Sequence, residues 1–275
     1  MLRKFWNVYR YLRGHASVVS SIHSVSFDGW NMATGTRTPW ANGGGDALSR
    51  SFSTTDCELK ALVRERKIIL TQFNQQNVLP ELDALTWRHY IVYWSVVYAV
   101  TYAKSDNQNL AEFGVCDGLT AFYAASALAT HASENSTFYL YDAWEGMRSD
   151  LLTETEKSSA GSYAYLDVKN TQRNLASLVE LKPVFNKGYI PEVFDIADNP
   201  DALIWFHIDL NSATPTISVL QKFWDRLVVH GVVLFDDFGW PGYEDTQHEI
   251  EAWIKDRECN LLRLPTGQAL LFKLR

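Results

Sequence analysis

Cysteine is scarce. Cys57, Cys116 and Cys259 are the three in 275 residues, widely separated and without metal-ligand spacing. So few thiols, odd in number, fit a reducing compartment. Long apolar runs are missing too, and none approaches the ~20 residues that a bilayer-spanning helix needs. The N-terminus lacks the apolar stretch of a signal peptide, so a cytoplasmic location is expected. A basic stripe is also absent, and the net charge is −7, which argues against a nucleic-acid partner. There is no internal repeat and no low-complexity tract. What remains is a globular composition, 47% hydrophobic and 21% charged, long enough for one α/β domain with an appendage or two small domains. Aromatic residues are plentiful, with 13 Tyr and 10 Trp. Most are expected in the core, although aromatic surfaces also line sites for rings and sugars.

Residues 1–14 carry Arg3, Lys4, Arg10 and Arg13 interleaved with Phe5, Trp6, Val8, Tyr9, Tyr11 and Leu12, and no acid. Such a helix suits weak peripheral contact with an anionic membrane. Packing on the body or on a second subunit is the preferred alternative, and a homo-oligomer is expected. Residues 24–55 are rich in Gly, Thr, Asn and Pro and sustain no period. Long loops that keep aromatic residues tend to be functional, so this one is read as a substrate lid carrying Trp30, Arg37 and Trp40. A helix is expected over 54–78, with an N-cap among Thr54, Thr55 and Asp56. An aromatic helix buried between layers is expected over 86–104. From residue 110 the pattern alternates. Strands are expected at 110–115, 138–143, 179–185, 202–209 and 231–237, with helices at 118–130, 160–177, 215–228 and 242–256. Near-continuous apolar strands indicate a parallel sheet covered on both faces. Pro265-Thr266-Gly267 between two short apolar segments closes the chain as a hairpin. The expected fold is α/β: a doubly wound, mostly parallel sheet with a C-terminal antiparallel hairpin. A division into a helical and lid extension, 1–85, and a catalytic domain, 86–275, follows.

The chain turns on Leu110–Gly118. A strand ends in Glu112-x-Gly114-x-x-x-Gly118, and a helical pattern follows. Glycines at such a turn let the backbone approach a ligand closely. The G-x-G-x-x-G spacing of a dinucleotide fingerprint is absent, and Glu112 would repel a phosphate. Acids recur at later strand ends: Asp142, Asp209, Asp236 and Asp237. Ligands of doubly wound sheets bind there. Asp142 suits the hydroxyls of a ribose, though it can also be a helix cap. Asp209, Asp236 and Asp237 suit a hard cation, most plausibly Mg²⁺, though an Asp-Asp pair can also cap a helix. His207 is assigned to the core, on the face away from Asp209, and His248 to the surface.

These residues resemble a family. Glu112-x-Gly114-x-x-x-Gly118, Tyr141-Asp142-x-Trp144-Glu145-Gly146, Lys187-Gly188-Tyr189, His207-Ile208-Asp209 and Phe235-Asp236-Asp237-Phe238-Gly239 stand in order. As a set over about 87–275 they resemble the macrocin O-methyltransferase family of class I S-adenosylmethionine-dependent enzymes, which methylate sugar hydroxyls of glycosides. The resemblance implies a seven-stranded methyltransferase sheet, S-adenosylmethionine as donor and Mg²⁺ on Asp209, Asp236 and Asp237. It implies Glu112 and Gly114 near the methionine part, Asp142 on the ribose, and Lys187, Gly188 and Tyr189 by the adenine or at the site edge. Val115, Gly118, Thr120, Ala143 and Asp209 complete the cofactor set, and Asp209 is the candidate base. The chain departs from the family after Asp209, where Leu210-Asn211-Ser212-Ala213-Thr214 replaces a turn that is often acidic or Tyr-containing. The expected function is Mg²⁺-assisted O-methylation of a sugar, glycoside or glycan precursor, with no nucleic-acid partner. The alternatives are methylation of a small catechol or diol, and a non-enzymatic binding protein that keeps the fold.

Overall fold

The computed structural model describes residues 47–275 apart from 66–69, 72–81, 83–84, 104, 133–135, 177, 179–180 and 265. Residues 1–14 and most of the expected lid lie outside the described residues. The chain falls into two compact units that divide between Ile91 and Val92.

In the first unit, helix α1 spans Ala47–Arg64. It begins earlier than the expected loop allows, and Thr54, Thr55 and Asp56 lie inside it rather than at its cap. Phe52, Thr55, Asp56 and Leu59 fall at i, i+3, i+4 and i+7 and are all buried, so one face already commits to helix. Thr54 Oγ1 donates to the Arg50 carbonyl, and Lys60 Nζ lies 2.6 Å from Asp56 Oδ2 one turn away. The helix stops at Arg64, short of the expected 78.

Helix α2 (Thr86–Tyr102) carries the chain across the division. In the second unit its Val92, Tyr93, Val96 and Ala99 are fully buried, and Trp205 Nε1 donates to Ser95 Oγ at 2.9 Å. The sheet contains β1 (Leu110–Phe113), β2 (Thr137–Asp142), β3 (Lys182–Lys187), β4 (Leu203–Ile208), β5 (Leu227–Phe235), β6 (Cys259–Arg263) and β7 (Ala269–Lys273). Their order is β3-β2-β1-β4-β5-β7-β6. The first five strands pair in parallel, and β7 pairs antiparallel with both β5 and β6. Helices α3 (Leu119–His131), α4 (Val168–Leu175), α5 (Ala213–Phe223) and α6 (Glu244–Ile254) fall between strands. This is the expected doubly wound sheet with its C-terminal hairpin. No helix of the described residues is long and apolar enough to cross a membrane.

Three boundaries moved for local reasons. The helix expected over 160–177 starts only at Val168. Gly161 and Tyr163 hold left-handed φ values of 77° and 68°, which interrupt a helix, and the Asp167 side chain then caps it by accepting from the Lys169 amide. The third strand begins at Lys182 rather than 179. The fifth begins at Leu227, and its pairing with β4 shifts register between Leu203 and Trp205, near a His230 with φ of 66°. One sheet face buries Phe113, Tyr141, Phe194, Phe206 and Phe223 in a cluster, with the Phe113 and Tyr141 rings stacked at 4.8 Å.

The segment between β2 and α4 is anchored by a buried carboxylate. Glu156 is 4% exposed. Its Oε1 accepts from the Ala213 amide at 2.9 Å, and its Oε2 accepts from Ser212 Oγ at 2.7 Å and the Thr153 amide at 3.0 Å. It therefore caps α5, whose own Ser212 makes no side-chain cap. Glu156→Ala leaves those donors buried without an acceptor. We expect a loss of about 2–4 kcal/mol, read as a lower urea midpoint at unchanged m-value.

Candidate active site at the carboxyl edge of the sheet

The strand order reverses at the junction of β1 and β4, and the loops that follow these strands share one edge. Gly114 has φ of 88°, and a Cβ built there would lie 2.0 Å from the Asp209 carbonyl oxygen. The two loops therefore pass at backbone contact, which only glycine permits. The position of the missing middle glycine is held by Cys116 with φ of 53°. The turn has the left-handed geometry without the residue that usually supplies it. Burial pushes the Cys116 thiol well above its ordinary range, and Asp117 and Asp142 push it further, so it is a neutral packing group.

Asp142 shapes this turn. Its Oδ2 accepts from the Val115 and Cys116 amides, both at 2.8 Å, and its Oδ1 accepts from the Trp144 amide at 2.6 Å. Burial raises its pKa, and the three amide bonds oppose the rise. The turn's amides thus face a carboxylate, and they are not offered to a phosphate. Trp144, itself at φ of 44°, donates from Nε1 to the Cys116 carbonyl at 3.0 Å and to Thr171 Oγ1 at 2.9 Å. Thr171 Oγ1 donates to the same carbonyl, and Asn174 Nδ2 to the Asp117 carbonyl. Helix α4 and Trp144 clamp the loop from below.

The acidic half lies across β4 and β5. Asn211, at φ of 55°, is its hub. Its amide donates to Asp237 Oδ2 at 3.0 Å, and its Nδ2 donates to Asp209 Oδ1 at 3.2 Å. Its Oδ1 accepts from Tyr243 at 2.6 Å and Tyr163 at 3.3 Å. Asp237 and burial push the Tyr243 phenol upward; burial, then Asp209 and Asp237, do the same to Tyr163. Both stay neutral hydrogen-bonding groups. Deeper in, Glu112 Oε1 lies 3.2 Å from His207 Nδ1, and His207 Nε2 lies 3.9 Å from Asp236 Oδ1. Burial alone would depress the imidazole pKa, but Asp236 and Glu112 outweigh it and raise it to about 9. Gln268 Nε2 donates to Asp236 Oδ1 at 2.9 Å.

The expected residues are thus brought together in part. Gly114, Val115, Gly118, Asp142 and Asp209 meet around the turn. Thr120 is buried in the first turn of α3, and Ala143 follows Asp142. At the far side Lys187 pairs with Glu145 at 3.1 Å, the Gly188 amide donates to the Asp142 carbonyl, and the Tyr189 hydroxyl donates to the Gly146 carbonyl. Glu112 is 1% exposed and tied to His207, so it supports the edge from beneath rather than lining it. His207 is fully buried, as its assignment to the core expected, but the face assigned to it is corrected. Residues two apart on a strand share a face, so His207 lies on the side of Asp209. Ligand atoms of His207, Asp209 and Asp236 fall within 4.8 Å of one another, while the Asp237 carboxylate turns to the Asn211 amide. His248 is exposed, as expected. Trp30, Arg37 and Trp40 lie outside the described residues. Tyr163, Tyr243 and Gln268 escaped the sequence reading. The only available signal was composition, a tyrosine in each of two glycine-bearing loops.

Four of the five non-glycine residues with left-handed φ among the described residues, Cys116, Trp144, Tyr163 and Asn211, stand on these loops. Backbone strain of this kind costs about 1–3 kcal/mol per residue and persists where surrounding contacts over-determine it.

Residues 111–238 match the family described as "Methyltransferase domain". No curated protein gives a sequence match. Among solved structures, the O-methyltransferase NovP is similar at TM-score 0.57 and 18% identity, over 68% of this chain and 80% of that one. CalS11, described as a calicheamicin methyltransferase, is similar at TM-score 0.55 and 17% identity, over 80% of this chain and 91% of that one. An apo form of CalS11, described as a TDP-rhamnose 3'-O-methyltransferase, gives TM-score 0.51 and 19% identity over 80% and 93%. At these identities the likeness is one of fold.

Proposed function

We propose that this chain is an S-adenosylmethionine-dependent O-methyltransferase that acts on a hydroxyl of a sugar, glycoside or glycan precursor, with a divalent ion held by Asp209, Asp236 and Asp237. The observation that carries it is the division of one edge into two halves: a carboxylate-pinned glycine turn, and an acidic cluster whose Asn211 hub is bonded by two neutral phenols. The methyltransferase domain match over 111–238 supports the class, and the O-methyltransferase and sugar methyltransferase descriptions of the similar structures support the acceptor. The domain division at 85/86 and the lid with Trp30, Arg37 and Trp40 belong to the same reading.

The residues fit the donor. Its turn amides are consumed by Asp142, which disfavours a pyrophosphate and tolerates an uncharged ribose beside a cationic sulfonium. Asp142 accepts three bonds of a capacity of about four, which leaves room for one hydroxyl. S-adenosylmethionine supplies an electrophilic methyl group when bound, and a divalent ion lowers the pKa of a hydroxyl beside it. The chain's own work is positioning, which can supply several kcal/mol of a barrier. Tyr163, kept neutral by burial and the aspartates, and Tyr243, kept neutral by Asp237 and burial, orient acceptor hydroxyls. Asn211 bonds both Asp237 and Asp209 and, being an amide, takes no proton. Asp209 is the group left to receive the acceptor's proton.

Calorimetry with S-adenosylhomocysteine tests the donor assignment: micromolar binding is expected, and no heat at millimolar ligand sinks it. A methyl-transfer screen over nucleotide sugars, glycosides and catechols, with and without EDTA, tests the acceptor. Turnover on a sugar hydroxyl that EDTA abolishes is expected. Turnover on catechols alone would transfer the assignment to a small diol.

A further inference from the structure

Tyr165 is the one aromatic side chain that the described residues of this edge leave exposed, at 47%. It stands in the short link between Tyr163 and helix α4, and both ends of that link are fixed. Upstream, the Tyr163 hydroxyl donates to Asn211 Oδ1 in the acidic cluster. Downstream, Asp167 caps α4, and Thr171 Oγ1 donates to the Cys116 carbonyl at 2.6 Å. The middle is held as well. A Cβ on Gly146 would lie 3.3 Å from the Ala164 Cβ, and Gly146 follows Trp144, whose indole donates to the same Cys116 carbonyl. The link therefore runs from the acidic cluster to the donor turn, with Tyr165 beside the Cys116–Asp117 corner. The Tyr165 and Tyr163 rings lie 6.3 Å apart. Partial burial, then Cys116 and Asp117, push the Tyr165 phenol upward, which agrees with that placement.

The corner's backbone has little left to offer a ligand. Asp142 holds the Val115 and Cys116 amides, and the Cys116 carbonyl accepts from both Trp144 and Thr171, which fills its two lone pairs. Asp117, Asp142 and Asp209 all act on Cys116, so the surroundings favour a cation. An aromatic face attracts a cation without a hydrogen bond, most strongly where the pair leaves water. We propose that Tyr165 is a binding residue for the methyl donor: its open ring takes the sulfonium of S-adenosylmethionine against its face and distinguishes the charged donor from its neutral demethylated product. The inference rests on the donor assignment made above. Once the methyl group has passed to the acceptor oxygen, the sulfur is an uncharged thioether, and this attraction is gone when the product must leave. The competing role is a platform for the acceptor's ring, since Tyr163 beside it bonds Asn211.

Calorimetry on the full chain tests this with two ligands, S-adenosylmethionine and S-adenosylhomocysteine, on wild type, Tyr165→Phe and Tyr165→Leu. Leucine keeps apolar bulk and removes the ring; phenylalanine keeps the ring and removes the hydroxyl. Tyr165→Leu is expected to weaken S-adenosylmethionine about five- to thirtyfold and S-adenosylhomocysteine by no more than about twofold. Tyr165→Phe should hold both ligands within about twofold of wild type. An equal loss of both ligands in Tyr165→Leu marks a mere apolar cover and overturns the inference. Unchanged affinity for both overturns it in favour of the acceptor platform, and a loss in Tyr165→Phe as large as in Tyr165→Leu assigns the effect to the hydroxyl and overturns it too. Wild type that binds neither ligand overturns the donor assignment and this inference together. Wild type that binds both, beside a Tyr165→Leu variant with the same preference between them, overturns this inference alone.

Discussion

Gly114→Ala is expected to cost about 3–5 kcal/mol of stability, a large share of the ~5–15 kcal/mol that holds a typical domain together. Two effects add. The residue sits at φ of 88°, where a side chain is strained by roughly 1–2 kcal/mol. The new Cβ would also meet the Asp209 carbonyl oxygen at 2.0 Å and its carbon at 2.7 Å. Both are backbone atoms and cannot swing aside. The loops are locked on either side, because the Gly114 amide donates to the Tyr141 carbonyl and the Asp209 amide to the Phe113 carbonyl, each at 2.9 Å. Relief can come only by parting the ends of β1 and β4, and that displaces Asp209. Urea denaturation should therefore show the loss of stability, and Mn²⁺ binding should fall with it. Gly161→Ala is the control. It has φ of 77° but nothing within 4 Å of the new Cβ, so about 1 kcal/mol of strain is the whole expected cost. Equal midpoints for the two variants would refute the close-approach argument.

The contrast between these glycines shows what a sequence discloses. Both lie in turn-like contexts, and neither carries its contacts in its letter. The alternation of apolar strands and helices was legible because buried parallel strands must be apolar along their whole length, as β4 is from Leu203 to Ile208. Asp142, Asp209, Asp236 and Asp237 were legible because a carboxylate after such a strand has few structural excuses. The helix start at Ala47 was not, since Gly-rich composition just before it masked an i, i+3, i+4, i+7 face of Phe52, Thr55, Asp56 and Leu59. Tyr163 and Tyr243 were not either. They reach Asn211 from positions 48 and 32 residues away, and no local rule couples such distances. His207 was rightly placed in the core, but its face was misassigned by a parity error that strand periodicity itself corrects.

Strain ties these observations together. Cys116 and Trp144 hold left-handed backbone on the donor side, and Tyr163 and Asn211 do so on the acceptor side. Each is fixed by a hydrogen bond from or to a neighbouring strained residue or an acid. Trp144 Nε1 binds the Cys116 carbonyl, the Tyr163 hydroxyl binds Asn211 Oδ1, and Asn211 binds Asp237. The strain on each side is thus held in pairs, and a single substitution should release both members of a pair.

Asp142→Ala puts that to its hardest test. The substitution strands three amides, those of Val115, Cys116 and Trp144, two of them on left-handed residues whose geometry the carboxylate maintains. Each buried amide left without an acceptor costs about 1–3 kcal/mol, and relaxation of the turn recovers part of it, so a net loss of about 2–4 kcal/mol is expected. S-adenosylhomocysteine affinity should fall at least ~100-fold, because the relaxed turn no longer presents one surface to the ligand, a change worth roughly 2.7 kcal/mol or more. Asp142→Asn separates the two roles open to this residue. If Asp142 served only as a ribose acceptor, the amide would weaken ligand binding and leave folding stability untouched. As the pin of the turn it must accept at both Oδ1 and Oδ2, and an amide nitrogen cannot accept at either place. The asparagine variant should then lose stability and ligand affinity together, with the larger share of the stability loss if its nitrogen faces the Val115 and Cys116 amides. Unchanged stability beside weakened binding would return Asp142 to a purely ligand-binding role and leave the turn to be held by Trp144 and Thr171.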